Sequence, residues 1–171
     1  MSGFIRSTMV ACAIAASLTT SVLAQQAAWP NHPVKIIVPF SAGGTGDIIA
    51  RSFADYARPV LGQSFIVENR AGAGGNIAAT FVARSEPDGY TFLFGSTGPA
   101  ALNSVMYKKI AFDPLKDFTH VALIGKNPVI FAARQNLPVK SLKELIDYAK
   151  ANPEKLTAAS PGSGTLEHFS T

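Results

Sequence analysis

Apolar runs separated by bends of small residues set out most of the chain. Val34–Val38 is a short apolar run of strand composition. It leads into Pro39-Phe40-Ser41-Ala42-Gly43-Gly44-Thr45-Gly46-Asp47, a glycine-rich bend. Beyond it Ile48, Ile49, Phe53, Ala54 and Ala57 recur at helical spacing, which predicts an amphipathic helix ending near Pro59. Residues 64–68 read as a second strand, Asn69-Arg70-Ala71-Gly72-Ala73-Gly74-Gly75-Asn76 as a second glycine-rich bend, and residues 77–84 as a helix. Residues 90–94 give a third strand, Gly95-Ser96-Thr97-Gly98-Pro99 a third bend, and residues 100–107 another helix. Strand, bend and helix thus alternate three times, the pattern of a parallel α/β sheet with crossover helices.

The later chain is less regular. Two apolar runs of strand length, residues 120–124 and 129–133, follow an irregular stretch, and residues 135–138 read as a crossing into a second lobe. Ser141-Leu142-Lys143-Glu144 is a capping box opening a helix that runs to about Ala151. Residues 156–159 suggest a short strand, and Ser160-Pro161-Gly162-Ser163-Gly164-Thr165 is a fourth small-residue bend before Leu166-Glu167-His168-Phe169.

The bends carry the candidate chemistry. A glycine-rich turn between strand and helix leaves several N–H groups unpaired, and the positive end of the helix dipole adds to them, so each bend can seat an anion. In parallel sheets ligands bind beyond the carboxyl ends of the strands, where the first three bends lie. An Asp in the first turn of a helix, such as Asp47, caps or orients the loop beside it. Arg70 is open to two roles, bidentate pairing with a carboxylate or a solvated rim position. A dinucleotide site competes: Gly44 and Gly46 match two of its glycines and Glu68 ends the second strand, but Ile49 stands where the third small residue belongs. The chain has no P-loop and no Gly-x-Ser-x-Gly elbow. His32, His120 and His168 lie far apart without carboxylates at ligand spacing, which gives a metal site no support.

Composition adds the compartment. Arg6 followed by an alanine-rich apolar stretch up to Val22-Leu23-Ala24 reads as a secretory leader, residues 1–24, cleaved after Ala24. A lipoprotein signal ending at Cys12 is the alternative, and the apolar region continuing past Cys12 argues against it. Loss of the leader removes Cys12, the single cysteine, and with Arg6 lowers the net charge from +4 to +3. Disulfide, thiol and Cys-metal chemistry are then excluded, which fits a bacterial periplasm. The basic residues are scattered rather than interleaved with aromatics, so nucleic-acid binding is not expected.

Several blocks together resemble the periplasmic receptors of tripartite tricarboxylate transporters, the Bug-type receptors. They are Trp29-Pro30, the first strand and bend, Val67-Glu68-Asn69-Arg70, Gly72-Ala73-Gly74-Gly75-Asn76, Pro87-Asp88-Gly89-Tyr90-Thr91 and Pro114-Leu115-Lys116-Asp117-Phe118. Ala149-Lys150-Ala151-Asn152-Pro153 and Ser160-x-Gly162-x-Gly164-x-x-x-His168 complete the set. The resemblance implies an α/β, periplasmic binding protein-like (type II) two-lobe fold, with lobe 1 over residues 25–134 and the start of lobe 2 over 135–171. It implies a monomeric receptor, without cofactor or catalysis, that hands a small carboxylate to transporter membrane subunits. Phe40, Ser41, Ala42, Gly43 and Gly44 would line a carboxylate pocket, with Asp47 bracing the loop. Ala73, Gly74, Gly75, Ser96 and Thr97 would contribute from the same lobe, and Ser160, Gly162, Gly164, Thr165 and His168 from the second. Family members are roughly twice as long as the chain after its leader, so the resemblance also implies a truncated receptor that closes poorly on its ligand. The alternative from another class is an exported α/β enzyme or nucleotide-binding domain using the same bends for a phosphorylated or acyl substrate.

Overall fold

The computed structural model describes residues 28–171, so the expected leader, its cleavage site and Cys12 lie outside the described residues. Residues from His32 to Thr171 form one compact unit, which holds the sheet and helices. Its centre is β1, Val34–Val38, where every residue but Lys35 is buried. The backbone groups along both its edges need partners. β2, Phe65–Asn69, and β3, Thr91–Leu93, supply them, giving a parallel sheet of order β2-β1-β3. Val34 pairs with Phe65 and Val38 with Asn69 on one side; Lys35 pairs with Thr91 and Ile37 with Leu93 on the other.

Each parallel step needs a crossover, and helices make both. α1, Thr45–Leu61, joins β1 to β2; α2, Asn76–Ala83, joins β2 to β3. α1 buries Asp47, Ala50, Ala54 and Ala57, which share one face, and Ala50 packs on Ile36 and Val38 with Phe40, Phe65, Val67 and Phe94 around them. The expected face included Ile48 and Phe53. Both are largely exposed, because the alanines let the helix lie close to the sheet and push bulky residues to its flanks. Phe53 still meets Phe65 edge-on at 5.8 Å. α1 also runs past Pro59: a proline in the last turn forfeits one hydrogen bond, and Gly62 closes the helix by donating to the Arg58 carbonyl at 3.0 Å. α2 buries Ala78 and Ala79 and touches β1 and β3.

After β3 the expected helix starts early, at Gly98, as a wide turn over Gly98–Leu102 continued by α3, Asn103–Met106. The capping box forms. Ser141 Oγ accepts from the Glu144 amide at 3.2 Å and opens α4, Leu142–Ala151, while the Glu144 carboxylate accepts from Lys140 N at 2.8 Å. α5, Leu166–Phe169, closes the chain.

Three expected strands do not form: residues 120–124, 129–133 and 156–159 are irregular. β-formers make a strand only when a ladder partner takes their backbone groups, and among the described residues none does. Val121, Leu123 and Ile130 stand about three-quarters exposed in consequence.

Candidate functional site

The first bend is held at both ends and open in the middle. The Gly43 amide donates to Asp47 Oδ2 at 2.9 Å, so it is occupied rather than open. The Arg51 guanidinium, one helical turn on, grips the Asp47 carboxylate, with Nε 3.0 Å from both oxygens. Arg51 Nη2 donates to Asn69 Oδ1 at 3.1 Å, and Asn69 Nδ2 donates to the Phe40 carbonyl at 3.0 Å. This circuit ties the loop to the end of β2 and leaves Ser41 and Ala42 exposed between its fixed ends, their amides without a partner among the described residues. Thr45 and Gly46 begin α1, so their amides have no carbonyl four residues back inside the helix. Gly44 donates to the Ser41 carbonyl at 3.4 Å.

The Asp47 side chain is almost wholly buried. The Arg51 hydrogen bonds first, then the Gly43 amide, outweigh desolvation and bring its pKa down from 3.8 to about 2. A folded pKa below the unfolded one contributes stability above about pH 4 that is lost as pH falls toward 2. Asp113 is shifted the same way, chiefly by the Leu115 amide. Melting temperatures of the wild type and Asp47→Asn between pH 5 and 2 should therefore converge on acidification, the Asp113 contribution being common to both.

The other three bends meet in space. Backbone φ is positive from Gly72 through Gly75, including +48° at Ala73, so the second bend is a left-handed coil. A Cβ on Gly75 would lie 2.7 Å from Pro99 Cγ and 3.1 Å from Pro39 Cβ, which wedges the second bend between the first and the third. Gly74, Gly98 and Gly164 are in backbone contact: a Cβ on Gly74 would lie 2.6 Å from the Ser163 carbonyl oxygen, and one on Gly98 would collide with the Gly164 carbonyl. Two side chains, at the start of α3 and just after it, fix this junction. Asn103, fully buried, donates to the Gly74 carbonyl at 3.0 Å and to Asn76 Oδ1 at 2.7 Å, and Tyr107 Oη donates to the Ser163 carbonyl at 3.1 Å.

Of the remaining expected site residues, Ser96 spends its carbonyl on the Ala100 amide at 3.1 Å, and Thr97 is exposed at the start of the turn. Thr165 is buried; its hydroxyl donates to the Gly162 carbonyl at 2.8 Å and accepts from the His168 amide at 3.2 Å. Ser160 Oγ lies 2.8 Å from His168 Nδ1. That pair has the first two members of a nucleophile–base–acid series, but no carboxylate is hydrogen-bonded to His168 among the described residues. Of its two expected roles Arg70 takes the pairing with a carboxylate: Nε and Nη2 both reach Glu68 Oε1, at 2.7 and 2.6 Å, and the guanidinium lies 3.5 Å over the Phe81 ring. An open groove of about 670 Å³ lined by Lys35, Thr80, Phe81, Arg84 and Thr91 sits at the start of the strands, away from the bends.

Sequence reasoning missed Arg51, Asn69, Asn103 and Tyr107. Arg51 carried a readable signal, its place four residues after Asp47 on a helix. Asn69 and Asn103 act over separations of 29 residues, to Phe40 and to Gly74, and had no local signal.

Comparison with known proteins bears on what such a surface is for. The profile of the family described as "Tripartite tricarboxylate transporter family receptor" matches residues 49–171. BugT of Bordetella pertussis is 36% identical over 144 residues, 84% of this chain and 44% of BugT. A solved structure described as "R. palustris Rpa4515 with adipate" is 40% identical with a TM-score of 0.68, over 83% of this chain and 48% of that one. MatC from Rhodopseudomonas palustris, solved with bound malate, is 38% identical with a TM-score of 0.62, over 72% and 42% respectively. The chain spans about half the length of the curated relatives it matches.

Proposed function

The chain belongs to the tripartite tricarboxylate transporter receptor family, and from that premise we propose that it is a periplasmic solute receptor for a small dicarboxylate. It captures the solute through the amides of its bends and passes it to membrane subunits of a transporter, with no chemical step. The observation that carries the reading is the gathering of four bends, dispersed over residues 39–165, around Pro39, Gly75, Pro99 and Gly164. An acid is bound well by such a surface because amides in a fixed bend are already aimed, so little ordering remains to oppose binding. Ser41 and Ala42 would hold one carboxylate, and Ser160 with His168 the other end of the solute. Adipate and malate, found in two related structures, are the first solutes to try.

The test is ligand-linked melting. A dicarboxylate at about ten times its dissociation constant should stabilise the fold by about 1.4 kcal/mol, a rise in Tm of roughly 3–6 °C for a domain of this size. The added acid should be recovered unchanged, as judged by NMR of the solution. No shift with any dicarboxylate, or consumption of the acid, would overturn the reading.

A further inference from the structure

The first bend presents a contradiction for an anion site: a buried carboxylate, Asp47, hydrogen-bonds the amide of Gly43 beside the open amides of Ser41 and Ala42. A solute carboxylate seated on those amides meets a fixed negative charge within one or two residues. We propose that Arg51 is the residue that makes this bend usable for an anion, by cancelling the Asp47 charge while holding the loop in place. The inference rests on the receptor reading above and adds to it a charge-compensating residue behind the loop.

Three observations converge on Arg51. Its guanidinium is close to both carboxylate oxygens, 3.0 Å from Nε to each and 2.9 Å from Nη2 to Oδ1, so the compensation is bidentate rather than diffuse. Its remaining reach goes to Asn69 Oδ1, and Asn69 in turn fixes the Phe40 carbonyl, so the same side chain sets the angle at which the loop leaves β1. The neighbouring charges leave this role to Arg51. Asp55 adds negative potential along α1 and is paired with Arg58 at 2.6 Å. Arg70, the next cation after Asn69, is engaged by Glu68. Asn69 is neutral. Without Arg51 the pocket wall carries a net negative charge, and Coulomb repulsion between charges one or two residues apart, discounted for solvent screening, corresponds to a loss in affinity of about tenfold or more.

The experiment is a charge cycle read by calorimetric titration of adipate and malate into the purified chain, with Tm measured on each variant. Arg51→Gln should weaken binding about tenfold or more. Arg51→Lys, which keeps the charge but not the fork, should bind more tightly than Arg51→Gln. The discriminating variant is Asp47→Asn combined with Arg51→Gln. It has no charge to compensate, and the asparagine side-chain oxygen can still accept from Gly43, so it should regain most of the affinity that Arg51→Gln loses, although its Tm is no higher. If affinity merely follows Tm across the set, or if the double variant binds no better than Arg51→Gln, Arg51 is a structural brace and the proposal is overturned. Wild-type failure to bind these or any other dicarboxylate overturns the receptor reading instead, and the proposed role falls with it.

Discussion

Gly74→Ala is expected to detach the fourth bend from the rest of the site. The new methyl would lie 2.6 Å from the Ser163 oxygen and 2.7 Å from Gly164 Cα, both backbone atoms that cannot swing aside. Overpacking of this kind costs about 1–3 kcal/mol, and a left-handed φ of +62° adds about 1 kcal/mol for a residue with a Cβ. The chain can relieve both by letting residues 160–165 lift away, breaking the Tyr107–Ser163 hydrogen bond. Hydrogen exchange should then rise by two orders of magnitude or so, as about 3 kcal/mol implies, at the Thr165 amide and in the hydrogen-bonded amides of α5. Gly43→Ala is the control. Its φ is +82° but open space surrounds the position, so backbone strain acts alone and costs only about 1 kcal/mol. Equal effects of the two variants would mean that the contact of Gly74 with the fourth bend carries no energy.

That contact was not legible in the chain, although the bends themselves were. β1, α1, β2, α2 and β3 follow from local pattern: alternating apolar runs and helical spacing are short-range properties, and the structure places all five within a few residues of the expected ranges. The Ser141–Glu144 capping box was equally local. Residues 120–124 and 129–133 show where the same reasoning fails. Their composition favours strands as strongly as that of β2, yet a strand is a relation between two segments, and composition names only one of them. The site divides along the same line. Asp47 could be assigned to its loop because donor and acceptor lie four residues apart. The meeting of Gly74, Gly98 and Gly164 could not be, since glycine in each bend is explained locally by turn geometry and gives no hint of a second reason. Asn103 was invisible for a related cause. An asparagine in a helical stretch reads as a solvated residue until the carbonyl it serves is known.

Asn103→Asp changes almost nothing in shape and should be the most damaging substitution in the site. The amide nitrogen faces two acceptors, the Gly74 carbonyl and Asn76 Oδ1, and the side chain is fully buried. Its own Oδ1 already has no hydrogen-bond partner. A carboxylate there would set a charge against two oxygens with nothing to offset it, at a cost of about 3–5 kcal/mol near neutral pH. The acid form is tolerable because its hydroxyl can donate to one of the two oxygens. Burial and those oxygens therefore raise the folded pKa above the unfolded value of about 3.9. Relative stability is then fully present below about pH 4 and is lost as pH rises through the folded pKa. Denaturant midpoints of the variant minus those of the wild type, from pH 3.5 to 7.5, should fall steadily with pH, opposite in direction to the Asp47 contribution. A difference independent of pH would mean that position 103 is wet in solution and that the second bend is held by its glycines alone. If the slope appears, Asn103 sits dry against its two acceptors, and the second bend is fixed from its inner side by the hydrogen bond from Asn103 to the Gly74 carbonyl.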